Sequence, residues 1–271
     1  MRIEVDGIGL EVDVQADGPP VVLLHGWPDS HDLWRHQIAA LTSAGYRTIA
    51  PDLRGFGASD RPPEVEAYGI VSLVGDVIGI LDQLGVAHSH VVGHDWGAGL
   101  AWAIAAFAPD RVDHLAVLSV GHPSSFRGAG FAQREKSWYM LLFQFDGIAE
   151  QWLSAGEWAN FKACFAHPEA EAVIPLLARE GALTASLNWY RANVAPSTLV
   201  EPPLQIPTVT TPAMGIWSDG DRFLTEEQMT GSAGFVGGPW RYERLDGAGH
   251  WMQLEQPHAV NRLLLDFLPE P

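Results

Sequence analysis

The chain has 271 residues, and its 33 acidic and 16 basic side chains give it a formal net charge of −17. This length suits one α/β domain with an insertion, and so acidic a surface argues against nucleic-acid and membrane partners. The single cysteine, Cys164, excludes a disulfide within the chain. The N-terminal residues lack the apolar stretch of a signal peptide, so we expect a cytoplasmic location.

The first half of the chain alternates short apolar runs with amphipathic segments. Residues 2–14 alternate apolar and polar side chains, as a β-hairpin does. The strands predicted after it cover residues 20–24, 46–50, 90–92 and 114–120, and the helices predicted between them cover 33–41, 72–84 and 98–108. This alternation predicts a mostly parallel sheet with helices on both faces, with a site where the strands end.

The predicted alternation of strands and helices stops between residues 126 and 203. Aromatic-rich segments with helical spacing take its place, at 138–145, 148–153, 158–166 and 183–195. Strands return at 213–217 and 240–245, and a last helix is predicted over 256–267. We therefore expect a core formed by residues 1–125 and 204–271, with residues 126–203 inserted as a helical cap.

The segment 91–99, VVGHDWGAG, predicts a strand, a tight turn and a helix. Gly93 and Gly97 bracket the turn, and Asp95 occupies the tip, where the G-x-S-x-G motif of serine hydrolases carries serine. The N-terminus of the following helix favours negative charge there. The pattern indicates a carboxylate nucleophile, although an ordinary capping aspartate fits these residues taken alone.

Residues late in the chain supply partners for such a nucleophile. His250 follows the last predicted strand and three small residues, and it is the candidate base. Asp221, after the preceding strand, is the candidate acid that orients the imidazole, and Asp219 competes for this role. The order of nucleophile, acid and histidine is that of α/β-hydrolases. The backbone N–H groups of Trp27 and Trp96 are the expected oxyanion donors.

Together the segments 25–28 (HGWP) and 93–98 (GHDWGA), with Asp221 and His250, resemble the epoxide hydrolase branch of the α/β-hydrolase superfamily. The resemblance covers nearly the whole chain and implies an α/β-hydrolase fold. It also implies two cap tyrosines that protonate the opening epoxide oxygen. The segments 187–191 and 138–144 are similar to the two tyrosine motifs, which implicates Tyr190 and Tyr139 respectively, with Trp138 as the alternative if the alignment slips by one residue.

Haloalkane and haloacid dehalogenases share the aspartate nucleophile and are the first alternative. Relatives that remove fluoride usually place a halide-binding tryptophan at position 139 and often arginine after the nucleophile, and haloalkane dehalogenases usually place asparagine at position 27. This chain has Tyr139, Trp96 and Trp27 there, which favours an epoxide substrate. A non-catalytic ligand-binding protein on a hydrolase fold is the second alternative, although such a protein need not keep all three of Asp95, Asp221 and His250.

The resemblance implies that Asp95 attacks an epoxide carbon to form an ester, and that water activated by His250 then releases a vicinal diol. We expect no metal and no cofactor, a small apolar epoxide as substrate, and a monomer or homodimer. The residues expected to contact the substrate are Trp27, Trp96, Trp138, Phe143 and Leu187. Asp29 and His122 lie near strand ends and are weaker candidates for the pocket lining.

Overall fold

The computed structural model describes residues 1–200 and 205–271, and its centre is an eight-stranded sheet. The strands are β1 Arg2–Val5, β2 Ile8–Gln15, β3 Pro20–Leu24, β4 Arg47–Pro51, β5 Ser89–His94, β6 Val112–Leu118, β7 Ala213–Ser218 and β8 Trp240–Leu245. Their order is β1-β2-β4-β3-β5-β6-β7-β8. The first two strands form the predicted hairpin, β2 pairs antiparallel with β4, and β3 to β8 are parallel.

Helices cover both faces of this sheet. The α-helices are α1 Arg35–Ser43, α2 Ile70–Gln83, α3 Trp96–Phe107, α4 Pro123–Gly128, α5 Gly130–Lys136, α6 Trp138–Leu142, α7 Ile148–Phe165, α8 Ala170–Leu177, α9 Ala182–Asn193, α10 Glu226–Thr230, α11 Met252–Glu255 and α12 Pro257–Phe267. Short 3₁₀ helices cover His31–Trp34, Val65–Tyr68, Pro109–Arg111, Pro196–Leu199 and Gly231–Phe235. Within the two described ranges, no helix is both long enough and apolar enough to cross a membrane.

The sheet is buried because its central strands carry apolar side chains on both faces. Val91 and Val92 of β5 are fully buried, as expected for a parallel strand covered on both sides. The helix α3 is apolar around most of its circumference and packs against β5 and β6. By contrast, α2 is amphipathic and buries the stripe that contains Leu73, Val77 and Leu81. The predicted strands and helices of the core are confirmed, with ends that shift by a few residues.

Between β6 and β7 the described residues form the helices α4 to α9 and no strand of the sheet, as the aromatic-rich pattern predicts. The helix α7 is interrupted at residues 155–158, three of which have positive φ, so the two helices predicted at 148–153 and 158–166 lie within one longer element. The sequence did not predict α4, α5 and α8. The expected cap–core boundary at residues 203 and 204 lies outside the described residues, and the division into core and cap stays a prediction.

The parallel register brings several loops to one edge of the sheet. Leu24 pairs with Gly93, His94 with Leu118, and Ser218 with Leu245, so these strands end at similar heights. The loops that follow β3, β5, β7 and β8 therefore meet above the carboxyl ends of the strands. The predicted functional residues of the core lie in these loops or at their ends.

Candidate active site

Asp95 is the single residue between β5 and α3, and it forms the predicted sharp turn. Its φ of 51° and ψ of −120° are unfavourable for a residue with a side chain, so the surrounding packing must hold this conformation. Gly97 shows how close that packing is, since a Cβ atom there would lie 2.0 Å from the carbonyl oxygen of Leu24. The first turn of α3 thus lies directly against the end of β3.

The loop after β3 contacts the Asp95 carboxylate. The backbone N–H of Trp27 donates to Asp95 Oδ1 at 2.9 Å, as expected for an oxyanion donor. Gly26 permits this approach, because a Cβ atom at this position would lie 2.4 Å from Asp95 Cβ. Within the described part of the chain, the hydrogen bond to this carboxylate comes from the Trp27 amide and not from that of Trp96, the second predicted donor.

His250 lies between two carboxylates. Its Nε2 is 3.7 Å from Asp95 Oδ2, and its Nδ1 is 3.0 Å from Asp221 Oδ2. The other oxygen of Asp221 accepts hydrogen bonds from the backbone N–H groups of Phe223, at 2.8 Å, and Leu224, at 3.0 Å. Asp219 is exposed and accepts from the Gly247 N–H instead. The geometry therefore pairs His250 with Asp221 rather than with Asp219.

The two carboxylates control the charge of the imidazole. Burial lowers the pKa of His250, but the charges of Asp221 and Asp95 and their interactions with the ring raise it to about 10. Burial acts to raise the pKa of Asp221, yet the charge of His250 and the hydrogen bonds from His250, Phe223 and Leu224 hold it below its usual value. At neutral pH the triad thus contains an imidazolium next to an ionised Asp221.

Tyr139 and Tyr190 face the same carboxylate from α6 and α9. Both side chains are buried, their ring centroids are 6.0 Å apart, and both rings line a cavity that also contains Asp95. Burial, followed by the charge of Asp95, raises the pKa of each hydroxyl well above 10. The two hydroxyls therefore remain protonated at neutral pH and are able to donate hydrogen bonds.

The cavity enclosed by these groups is small. Its volume is about 10 Å³, close to the space that one water molecule needs. Predicted residues that line it are Trp27, Asp95, Tyr139, Tyr190 and His250. Phe165, Phe223 and Trp251 complete the wall, and none of the three was predicted to line it. Phe223 and Trp251 are neighbours of the predicted acid and base in the chain, which was the available signal, whereas nothing in the sequence distinguishes Phe165.

Other residues expected to contact the substrate lie at different depths. Phe143 is one layer behind the cavity, with its ring centroid 4.9 Å from that of Tyr190, and Trp96 is 5.0 Å from the same ring. Leu187 is buried but does not line the cavity. The expectation for Trp138 is wrong: its side chain is 47% exposed and packs against Trp152. Successive residues of a helix point in different directions, and α6 turns Tyr139 inward.

Three further buried residues support the site without having been predicted to do so. His94 Nε2 lies 3.0 Å from the backbone oxygen of His250, and the Ser119 hydroxyl donates to the same oxygen. Burial lowers the pKa of His94 to about 4, so the ring is neutral and Nε2 carries the donated proton. Ser186 on α9 accepts a hydrogen bond from the Trp27 indole at 3.1 Å. These contacts fix the backbone of His250 and the side chain of Trp27.

The two weaker candidates for the lining do not reach the cavity. Asp29 is buried beneath it and bonds to His167 and Trp251. His122 stacks on Phe235, with ring centroids 4.6 Å apart. Within residues 1–200 and 205–271, no three His, Cys, Asp or Glu side chains are grouped so as to hold a metal ion.

Comparisons with known proteins identify the family of this chain. Residues 19–257 match the family model described as alpha/beta hydrolase fold. Epoxide hydrolase A of Mycobacterium tuberculosis is 34% identical, over 98% of this chain and 96% of the relative. Epoxide hydrolase 3 of Xenopus tropicalis is also 34% identical, over 100% of this chain and 77% of the relative.

Solved structures show the same relationship. An epoxide hydrolase from Bacillus megaterium in complex with an inhibitor has a TM-score of 0.89 at 27% identity, and covers 98% of this chain and 99% of its own. Epoxide hydrolase A from Mycobacterium thermoresistibile has a TM-score of 0.81 at 31% identity, over 99% and 97% of the two chains. The chain therefore belongs to the α/β-hydrolase family, within its epoxide hydrolase branch.

Proposed function

We propose that the protein hydrolyses a small apolar epoxide to a vicinal diol through an ester of Asp95. The observation that carries this proposal is the shared cavity, which is lined by the Asp95 carboxylate, the His250 imidazole and the side chains of Tyr139 and Tyr190. A carboxylate nucleophile, a nearby base and two neutral acids are the groups that this reaction needs. The relatives named epoxide hydrolase support the same activity.

In the first step Asp95 Oδ2 attacks an epoxide carbon from the side opposite its C–O bond. That bond breaks, and the oxygen takes a proton from Tyr139 or Tyr190. The burial that keeps these hydroxyls protonated makes them proton donors that bring no charge into an apolar site. Because the Trp27 N–H holds Oδ1, the other oxygen is the one free to react. The product of this step is a glycol monoester of Asp95.

The second step releases the diol. Esterification removes the negative charge of Asp95, which is one of the groups that raise the pKa of His250, so this pKa falls. The imidazolium then donates a proton to the tyrosinate that the first step left. The ring is now neutral, and, oriented by Asp221, it takes a proton from a water molecule. That water attacks the ester carbonyl carbon, and the Trp27 N–H, with that of Trp96, stabilises the oxyanion. The C–O bond to the diol breaks, the departing oxygen takes the proton of the hydroxyl group that water added, and Asp95 is regenerated as a carboxylate beside the imidazolium.

The dehalogenase alternative has less support from the contacts. A halide needs N–H donors that are free to face it, whereas the indole N–H of Trp27 donates to Ser186. The Trp96 side chain interacts with the Tyr190 hydroxyl. Both tryptophan donors are thus engaged by the cap helix that carries the proposed proton donor.

A panel of small and aromatic epoxides, with haloacids and haloalkanes, tests the function directly. We expect the wild type to form diol from at least one epoxide and to release no halide. Asp95→Asn should form no diol and release no halide. Halide release without diol formation would contradict the proposal, and tight retention of unchanged ligands without turnover would favour a binding protein. Four further points remain predictions. They are the contacts of Phe143, Leu187 and Trp96 with the substrate, the cap formed by residues 126–203, the cytoplasmic location, and the monomeric or homodimeric state.

A further inference from the structure

Three aromatic side chains separate the catalytic cavity from a larger groove. Phe165, Phe223 and Trp251 line both spaces, together with His250, and we call these three side chains the partition. The catalytic cavity has a volume of about 10 Å³, whereas the groove has about 300 Å³. The smaller space suits one water molecule and the larger one a small organic molecule. A substituted epoxide that enters from the groove therefore reaches Asp95 only if the partition moves.

A buried carboxylate outside both spaces holds one of these side chains directly. Asp29 lies in the loop after β3, and 5% of its surface is exposed. Its Oδ2 accepts a hydrogen bond from the Trp251 indole at 3.0 Å. Its Oδ1 lies 3.0 Å from His167 Nε2, and the His167 ring in turn packs on Trp251, with centroids 4.3 Å apart. The steps proposed above give Asp29 no chemical role.

The same carboxylate restrains a second side chain of the partition through His167. The helix α7 ends at Phe165, and Ala166 adopts a left-handed conformation with φ 47° and ψ 40°, so the chain turns there toward the core. His167 Nδ1 accepts the backbone N–H of Glu169 at 3.0 Å, so Nε2 is the nitrogen that carries the proton donated to Asp29. The position of Phe165 is therefore tied to Asp29 across two residues of backbone.

Charge explains why a carboxylate suits this position. Burial acts to raise the pKa of Asp29, but its electrostatic interaction and hydrogen bond with His167 hold it below its usual value. An ionised carboxylate accepts hydrogen bonds on both oxygens, so it satisfies the two N–H donors at once. An amide of the same shape has one accepting oxygen and would direct its NH₂ group at one of the donors.

We propose that Asp29 is a positioning residue that keeps the partition closed, through Trp251 on one side and His167 on the other, and thereby favours small epoxides over bulky ones. This proposal rests on the function proposed above. If the proposal holds, weakening the hydrogen bonds of Asp29 should change the ratio of kcat/KM between a bulky and a small epoxide, and not merely the overall activity.

The variant Asp29→Asn tests this with two substrates, a small alkyl epoxide and an aryl-substituted epoxide. The ratio of kcat/KM for the aryl epoxide to kcat/KM for the alkyl epoxide should rise by about tenfold, a typical size for discrimination by shape in an apolar site. Arg35→Gln is the matched control, because Arg35 forms an exposed ion pair with Glu169 on the same segment but touches neither the partition nor the cavity. Its ratio should stay at the wild-type value.

A second measurement does not depend on turnover. Amide hydrogen exchange of a peptide that covers residues 165–169 should be faster in Asp29→Asn than in the wild type. If Asp29→Asn does not fold, Trp251→Phe removes one of the two hydrogen bonds and should raise the substrate ratio in the same direction. Equal losses of kcat/KM for both epoxides, or unchanged exchange, would overturn the proposal. Absence of diol in the wild type would instead contradict the proposed function, and exchange alone would then judge whether Asp29 holds the segment.

Discussion

The imidazole of His250 lies 3.0 Å from Asp221 through Nδ1, and this bond turns its Nε2 toward Asp95 Oδ2 at 3.7 Å. That second distance is longer than a hydrogen bond. The imidazole is therefore held by Asp221, and the nucleophile stays free of a direct bond to it. This arrangement assigns the base to the second half of the reaction, after Asp95 has become an ester.

His250→Gln should trap the ester. Glutamine cannot take a proton from water, so attack by Asp95 still occurs but hydrolysis slows by about 10²–10⁴-fold. Mass spectrometry of the intact variant after incubation with an epoxide should show an increase equal to the mass of the substrate, located on the peptide that contains Asp95. The double variant with Asp95→Asn is the control and should show no increase. A folded His250→Gln protein that stays unmodified while the wild type forms diol would contradict the covalent route.

Replacing the two tyrosines should stop ring opening. Tyr139→Phe and Tyr190→Phe each remove one proton donor and should lower kcat, and the double variant should lose about 10²–10⁴-fold. Tyr68→Phe is a matched control, because Tyr68 is equally buried and donates to the Pro62 carbonyl away from the cavity. It should affect stability more than kcat. Full diol formation by the double variant would show that other groups protonate the oxygen.

Loss of the His250 charge should make folding less favourable in alkali. The pKa of about 10 in the folded state lies above the unfolded value of 6.5, so its stabilising effect is complete below pH 6.5 and is lost as the pH rises through 10. The free energy of unfolding of the wild type, measured by urea denaturation, should fall relative to that of His250→Gln, by at most about 1.4 kcal/mol per pH unit. Parallel curves for the two proteins would indicate that the imidazole is not held charged.

The turn at Asp95 should tolerate no side chain at Gly97. A Cβ atom there would lie 2.0 Å from the Leu24 carbonyl oxygen, so Gly97→Ala must push α3 away from β3 and should destabilise the fold by about 3 kcal/mol or more. Gly99→Ala on the same helix meets no atom within 4 Å, and should stabilise the helix by up to about 1 kcal/mol. Thermal unfolding of the two variants measures the contrast. Similar stability of both would show that the contact with Leu24 can relax.

Local sequence was sufficient for the parts of the site that depend on neighbouring residues. Gly93 and Gly97, on either side of Asp95, mark close approaches of the backbone, and such approaches are visible in a sequence. Asp219 and Asp221 could not be separated in that way, because both follow the same strand and only the contact with His250 decides between them. Trp138 was misplaced because its spacing alone does not say which side of a short helix faces inward.

Contacts between distant segments that no motif marks could not be predicted. Asp29 and His167 are 138 positions apart, and neither lies in a motif that indicates the other. The helices α4, α5 and α8 are short or lack a clear apolar stripe, so periodicity gave little signal for them. These features depend on how the helical segment packs over the sheet, which is a property of the whole chain.

Trp27 donates two hydrogen bonds. Its backbone N–H donates to Asp95, and its indole N–H donates to Ser186 on α9. The same helix carries Tyr190 four residues later, on the next turn. A displacement of α9 would consequently withdraw the proton donor and disturb the oxyanion donor in a single movement. Ring opening and ester hydrolysis would therefore be lost or gained together, although the two steps use different groups.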